Sequence, residues 1–259
     1  MEKCYKINNF PAKIYSDSEL ENIPSSNTAF NNTLKKYVIE GDVFDAGKLQ
    51  KDWFPATKVD IFISHSHRNC PDLIDFANEM EQKGFSCFID SITWGYADDL
   101  LNQLDKSICW NKASNTFDYS VRNNTTALVH ILLNTSLLKM IDKCKYVFFF
   151  NTNAAVPRQD LLKSFTYSPW IYSEISMCHA ILEDRKRHEE ELAVFSAEDG
   201  RRKLLQEFKA AMPLNFENFT DVEYSKLKTW IESSQNDESS LISVLDSSLS
   251  IKDLQRIQG

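Results

Sequence analysis

"VDIFISHSHRN", Val59 to Asn69, joins a short apolar, β-branched run directly to a polar one rich in histidine and serine. A strand with one wet face alternates apolar and polar residues. A run such as "VDIFIS" suits a strand buried on both faces, the usual condition in a parallel sheet. The stretches downstream extend this reading. Pro71 opens "PDLIDFANEMEQKG", with Leu73, Phe76, Ala77 and Met80 on one helical face and Gly84 as its stop. "FSCFI" reads as a second strand and "ADDLLNQLDKSI" as a helix. "ALVHILLNTSLLKMIDK" reads as a helix leading to a third strand, "YVFFF", and Ser168 starts another helix. "ELAVFS" fits either a strand or a helix. The alternation of strand and helix predicts an α/β domain over about 58–200, built on a parallel sheet flanked by helices.

Residues 1–57 are polar, rich in Asn and Ser and weakly periodic. They read as an N-terminal arm carrying a helix around "TLKKYVIEG". Residues 109–125 break the periodicity and read as an inserted loop. Residues 201–259 read as a helical C-terminal extension. No internal repeat occurs.

Composition bounds the partners. Of 259 residues, 42% are hydrophobic and 25% charged, ordinary values for a globular protein. The net charge of −8 offers no basic excess to displace counterions from phosphates, which argues against nucleic acid. The basic cluster in "EDRKRHEEE" is balanced by its acidic neighbours and reads as a solvated helix face. "MEKCYKINNF" has no apolar signal core, and no stretch approaches the ~18 to 20 apolar residues that span a bilayer. Six cysteines, without a C-x-x-C pair, read as reduced packing residues. The expectation is a soluble cytoplasmic protein that uses neither membrane nor nucleic acid.

In open parallel sheets, ligands bind beyond the carboxyl ends of the strands. Three segments leave strands there: "SHSHR" after the first, "DSITWGY" after the second, and the connection into "SPWIYSEI" after "YVFFF". In the last, Ser168 reads as an N-cap and Pro169 as the first helical residue. Trp170 and Glu174 then stack one turn apart, beside a burying stripe of Ile171, Ile175, Cys178 and Leu182. That puts Glu174 at the edge between core and rim, where a carboxylate is partly desolvated. The bland alternative is a capped amphipathic helix with a solvated glutamate. In "SHSHR", the residues Ser64, His65, Ser66, His67 and Arg68 read as polar pocket lining or as plain solvent-facing loop. His65 and His67 make an H-x-H pair, but zinc needs three or four ligands and no further set accompanies them. In the second segment, Gly95 supplies a turn, and Trp94 and Tyr96 either stack on a planar ring or anchor the loop. Asp90 opens that segment. His130, in "ALVHILL", reads as a hydrogen-bonded core histidine. Neither a Rossmann fingerprint, a P-loop nor a G-x-S-x-G elbow occurs.

Taken in order, "VDIFISHSHRN", "GFSCFIDS" and "SPWIYSEI" resemble the Toll/interleukin-1 receptor (TIR) domain family over about residues 58–185. The first is similar to its opening strand and loop, the second to its second strand running into the BB loop, and the third to its S-x-W-x-x-x-E signature. The resemblance implies a flavodoxin-like fold. Within the family it looks most like the bacterial TIR proteins of phage-defence systems such as Thoeris. This chain departs from the family in its stretch at 109–125 and in carrying "HSH" where many members have aromatic and arginine residues.

The resemblance implies an enzyme that cleaves NAD+ between nicotinamide and ribose. NAD+ would be the substrate, with no cofactor and no metal, and the product linear or cyclic ADP-ribose. Glu174 would be catalytic, and Ser64, His65, Ser66, His67, Arg68, Asp90, Trp94, Gly95, Tyr96 and Trp170 would line the substrate site. It further implies self-association through TIR domains, with "DSITWGYADD" at the contacts, and a downstream effector that senses the nucleotide product. Two other readings stand beside it: a TIR interaction module without catalysis, and a flavodoxin-like nucleoside N-glycoside transferase. Because the H-x-H pair is assigned to the substrate, elemental analysis of purified protein is expected to find no stoichiometric zinc, and a chelator to leave activity unchanged.

Overall fold

The runs "IFIS" and "YVFFFN" form neighbouring strands at the middle of a five-stranded, all-parallel sheet. The structure is a computed structural model and describes residues 1–20, 37–40, 43–54, 57–93, 97–111, 114–157, 165–187, 212–233 and 237–247. In chain order the sheet strands are β1 (Lys3–Asn8), β2 (Ile61–Ser64), β3 (Cys87–Ile89), β4 (Tyr146–Asn151) and β5 (Phe219–Glu223). Across the sheet they lie in the order β5-β1-β4-β2-β3.

Side chains alternate between the faces of a strand, and here both faces are covered. Ile61 and Ile63 of β2, with Tyr146, Phe148 and Phe150 of β4, point into one core. Helices α2 (Cys70–Gln82), α6 (Tyr224–Glu232) and α7 (Glu238–Asp246) close it. Phe62 of β2, with Val147 and Phe149 of β4, points into the other. That one is closed by α1 (Ala46–Trp53), α3 (Ala97–Leu104), α4 (Tyr119–Lys143) and α5 (Pro169–Arg187). Helix α2 buries Leu73, Phe76, Ala77 and Met80, the face read from the sequence, and the chain leaves it through Gly84 at φ +88°.

Residues 3–8 and 219–223, within the stretches read as arm and extension, are strands of this sheet. Strand β1 pairs in parallel with β4 (Lys3↔Tyr146 to Asn8↔Asn151) and with β5 (Cys4↔Phe219 to Asn8↔Glu223). Tyr5 is buried against Phe148, edge to face at 5.8 Å, and its hydroxyl donates to Asp246 of α7 at 3.1 Å. "KCYKIN" looks like a surface segment because it carries lysines. Lys6, however, lays its ammonium 4.9 Å from the centre of the Phe216 ring and 3.3 Å from Asp221. A long stem lets such a residue cover apolar surface while its charge stays outside.

Local differences have local causes. The helix expected around "TLKKYVIEG" is a strand over Val38–Glu40, paired antiparallel with Val43–Phe44; residues 33–36 lie outside the described residues. The stretch 109–125 contains a small hairpin, Trp110–Asn111 with Thr116–Phe117. It then enters α4 at Tyr119, because Asp118 caps that helix by accepting from the Val121 amide at 3.0 Å. "ELAVFS" lies outside the described residues. No helix among the described residues is long and apolar enough to cross a membrane.

A chain lacking residues 1–9 is expected to lose its cooperative melting transition, whereas loss of a true arm would leave it intact. Phe148→Ala is expected to lower stability by about 3–5 kcal/mol, read from the denaturant midpoint.

Candidate active site

Strand order decides which side chains can meet. β2 lies between β3 and β4, so the sheet winds one way from β2 to β3 and the other way to β4. The crevice at such a reversal, beyond the carboxyl ends, is the default ligand position in an open α/β sheet. Ser64 ends β2 there, and Asp90 directly follows Ile89, the last residue of β3, which is opposite Ile63. From the other direction comes α5. Ser168 caps it, its Oγ accepting from the Ile171 amide at 3.3 Å, and Pro169 is its first residue. Ile171, Ile175 and Cys178 are buried, as the stripe predicts, and Glu174 is buried with them at 1% exposure. Glu174 is therefore inside the core and not at its edge.

The Ser64 hydroxyl donates to Glu174 Oε2 at 2.5 Å, tying the end of β2 to the second turn of α5. Burial pushes the Glu174 pKa well above the ordinary carboxylate range. The Asp90 charge and a hydrogen bond between the two carboxyls push the same way, while the Ser64 hydroxyl works against them. Glu174, held in poor solvent next to a second acid, is favoured in its protonated form. His65 stands beside Asp90, its Nδ1 3.9 Å from Asp90 Oδ1, and its side chain is almost fully buried. Nδ1 donates to the Ile63 carbonyl at 3.3 Å, which fixes the proton on that nitrogen. Burial lowers the His65 pKa, opposed by Asp90 and the Ile63 carbonyl, and favours the neutral ring.

Of the residues singled out from the sequence, Ser64, His65, Asp90 and Glu174 thus come together. Ser66 is half-buried, and His67 and Arg68 are exposed on the turn His67–Asn69. Trp94, Gly95 and Tyr96 lie outside the described residues. Trp170 is half-buried and stacks on His130 of α4, ring centres 5.2 Å apart and planes 17° from parallel. His130 is therefore exposed and stacked and not a core residue; the core face of α4 belongs to Val129, Leu132, Leu133 and Leu137. Among the described residues no group of three His, Cys, Asp or Glu side chains is placed to hold a metal ion.

What the sequence does not reveal is the pairing of Asp90 with Glu174. The signal exists, an acid placed directly after a buried strand, but it has meaning only once the strand order is known. Such a cluster can pass a proton to a leaving group or oppose a positive charge forming on a substrate. Compared with protein-family models, curated proteins and solved structures, the chain matches none. The architecture established is an α/β fold with a five-stranded parallel sheet between helices.

The Glu174 shift makes a stability prediction. Above the ordinary carboxylate range the unfolded chain releases this proton and the folded chain keeps it, so stability falls as pH rises through the folded pKa. Glu174→Gln has no proton to lose there. It is expected to melt above wild type at about pH 8, with the gap closing towards about pH 4, in paired thermal melts.

Proposed function

We propose that the chain is a TIR-type enzyme that cleaves NAD+ at the nicotinamide–ribose bond. The observation that carries this reading is Glu174, buried at the winding reversal of the sheet, bonded to Ser64 and paired with Asp90. It is the glutamate of "SPWIYSEI", the segment that most resembles the family. The order β3-β2-β4 supports the reading too, since it matches the first half of a flavodoxin-like 2-1-3-4-5 sheet. The fourth position is taken by β1, from before the resembling region.

The chemistry asks little of the protein at the leaving group. The C–N bond breaks, its electron pair returns to the cationic pyridinium nitrogen, and nicotinamide leaves neutral without an added proton. Positive charge develops on the ribose, as in glycoside hydrolysis. Glu174 as carboxylate opposes that charge, and a water-poor setting strengthens the interaction. Water adds at the anomeric carbon and loses a proton, giving ADP-ribose; capture by an adenine nitrogen gives a cyclic product. Glu174 is 1% exposed, so the substrate reaches it only after a local opening of the fold. Self-association through "DSITWGYADD" would couple assembly to turnover.

One observation favours a second reading, a nucleoside N-glycoside transferase. A neutral base leaves a nucleoside well only when protonated, and burial favours a proton on Glu174. Chromatography after incubation with NAD+, or with a deoxynucleoside and a free base, separates the two.

With NAD+, Glu174→Gln is expected to fold and to lose activity by a factor of order 10² or more, about 2.7 kcal/mol of barrier; near-normal turnover would reject the assignment. The residual pairings give a finer test. Ser64→Ala removes a donor to the carboxylate and should move the acidic limb of the pH–rate profile to higher pH. Asp90→Asn removes a neighbouring negative charge and should move it to lower pH.

A further inference from the structure

A second concavity lies on the same rim, over the carboxyl ends of β1 and β4. It is a cleft of about 280 Å³ lined by Asn9, Phe10, Ala12 and Ile14, by Asn69 and by the turn 151–154. Four of its lining residues are asparagines, Asn9, Asn69, Asn151 and Asn153, and Phe10 and Ile14 supply apolar surface. None of the lining residues is ionisable. A site without a cation has nothing to hold a phosphate or carboxylate, and one without a carboxylate has nothing to hold an ammonium. Amides present a donor beside an acceptor, and their complement is an uncharged edge that does the same.

The cleft is prearranged. Asn69 is the fixed floor, 1% exposed, accepting from the Thr152 hydroxyl at 2.7 Å and donating to the Lys13 carbonyl at 2.8 Å. Asn151 donates to Asn8 Oδ1 at 2.7 Å, so its own oxygen remains to accept. Asn9 takes a left-handed conformation, φ 57°, and donates to Glu223 at 2.7 Å. Phe10 is clamped edge to face by Phe150 and Tyr224, each with ring centres 4.8 Å from its own. Among the described residues, the exposed Asn153 makes no side-chain hydrogen bond, which leaves both halves of its amide to a ligand.

We propose that this cleft binds adenine, free or as its nucleoside. Adenine offers the exocyclic N6–H donor beside the N7 acceptor, the pattern that an Asn amide pairs with in two hydrogen bonds. Guanine presents two acceptors at the corresponding edge and suits a guanidinium instead. Phe10 gives the ring an apolar wall. The volume lies just under the ~300 Å³ at which ordinary ligand pockets begin, which fits one ring system with at most one sugar. The site is separate from the Glu174 cluster and does not depend on what that cluster does.

Calorimetric titration of the full chain with adenosine tests this. Saturable binding is expected, at least tenfold tighter than guanosine or uridine. Asn153→Ala and Asn151→Leu should each weaken it tenfold or more at unchanged melting temperature, while Glu174→Gln leaves it as in wild type. No saturable binding overturns the proposal. So does binding indifferent to Asn153→Ala, equal affinity for guanosine, or loss in Glu174→Gln, which would assign adenosine to the other site.

Discussion

Strand β4 lies between β1 and β2 and is covered on both faces, with Tyr146 to Phe150 buried throughout. Three aromatic rings point into one core, and Val147 with Phe149 into the other. A strand in that position exposes nothing to water along most of its length, so its ends are where polar chemistry can begin. Both candidate sites are at its carboxyl end, one on either side: the Glu174 cluster towards β2 and β3, the asparagine cleft towards β1. Helix α5 follows β4 in the chain, and packing Ile171, Ile175 and Cys178 into the sheet face draws Glu174 inside with them.

That placement gives Glu174 its character. On a solvated face it would be an ordinary carboxylate. Enclosed beside Asp90, its charged form is disfavoured by burial and by its acidic neighbour, and the Ser64 hydroxyl is a single donor set against that cost. The same carboxyl is suited to opposing a cation when ionised and to giving up a proton when neutral. The two proposed reactions differ in which of these states they use.

The parts of the fold legible in the sequence are those where one residue class recurs at one period. "VDIFIS" and "YVFFF" announce strands buried on both faces, and Leu73, Phe76, Ala77 and Met80 announce the packed face of α2. Strands β1 and β5, "KCYKIN" and "FTDVE", hide because they mix charged residues with buried ones; Lys6 and Asp221 answer each other across the strand pair. The start of α4 was marked by Asp118, a capping residue set in a stretch too polar to attract a helical reading. Ser64, His65 and Asp90 were each identifiable as residues at strand ends, and Glu174 as a residue beside the buried stripe of its helix, though its full burial was not. Their convergence depends on β2 and β3 being adjacent and α5 crossing them, and both follow from contacts between residues far apart in the chain. The asparagines of the cleft carried no signal, since Asn after a strand is ordinary loop chemistry.

The position of β1 bears on how the protein is made. Its partners are residues 146–151 on one side and 219–223 on the other, so it is synthesised long before either. At ribosomal speeds of about 5–20 residues per second, it waits roughly 7–29 s for β4, with both backbone edges unpaired. Helix α2 with β2 and β3 can assemble locally in that interval, but the sheet has no second side until β4 emerges. Closing pairings of such sequence separation is slow, and an unpaired strand edge is a template for other chains. The lysines that disguise β1 as surface, Lys3 and Lys6, then have a use before the fold exists: they keep an orphan strand in water until its partners arrive.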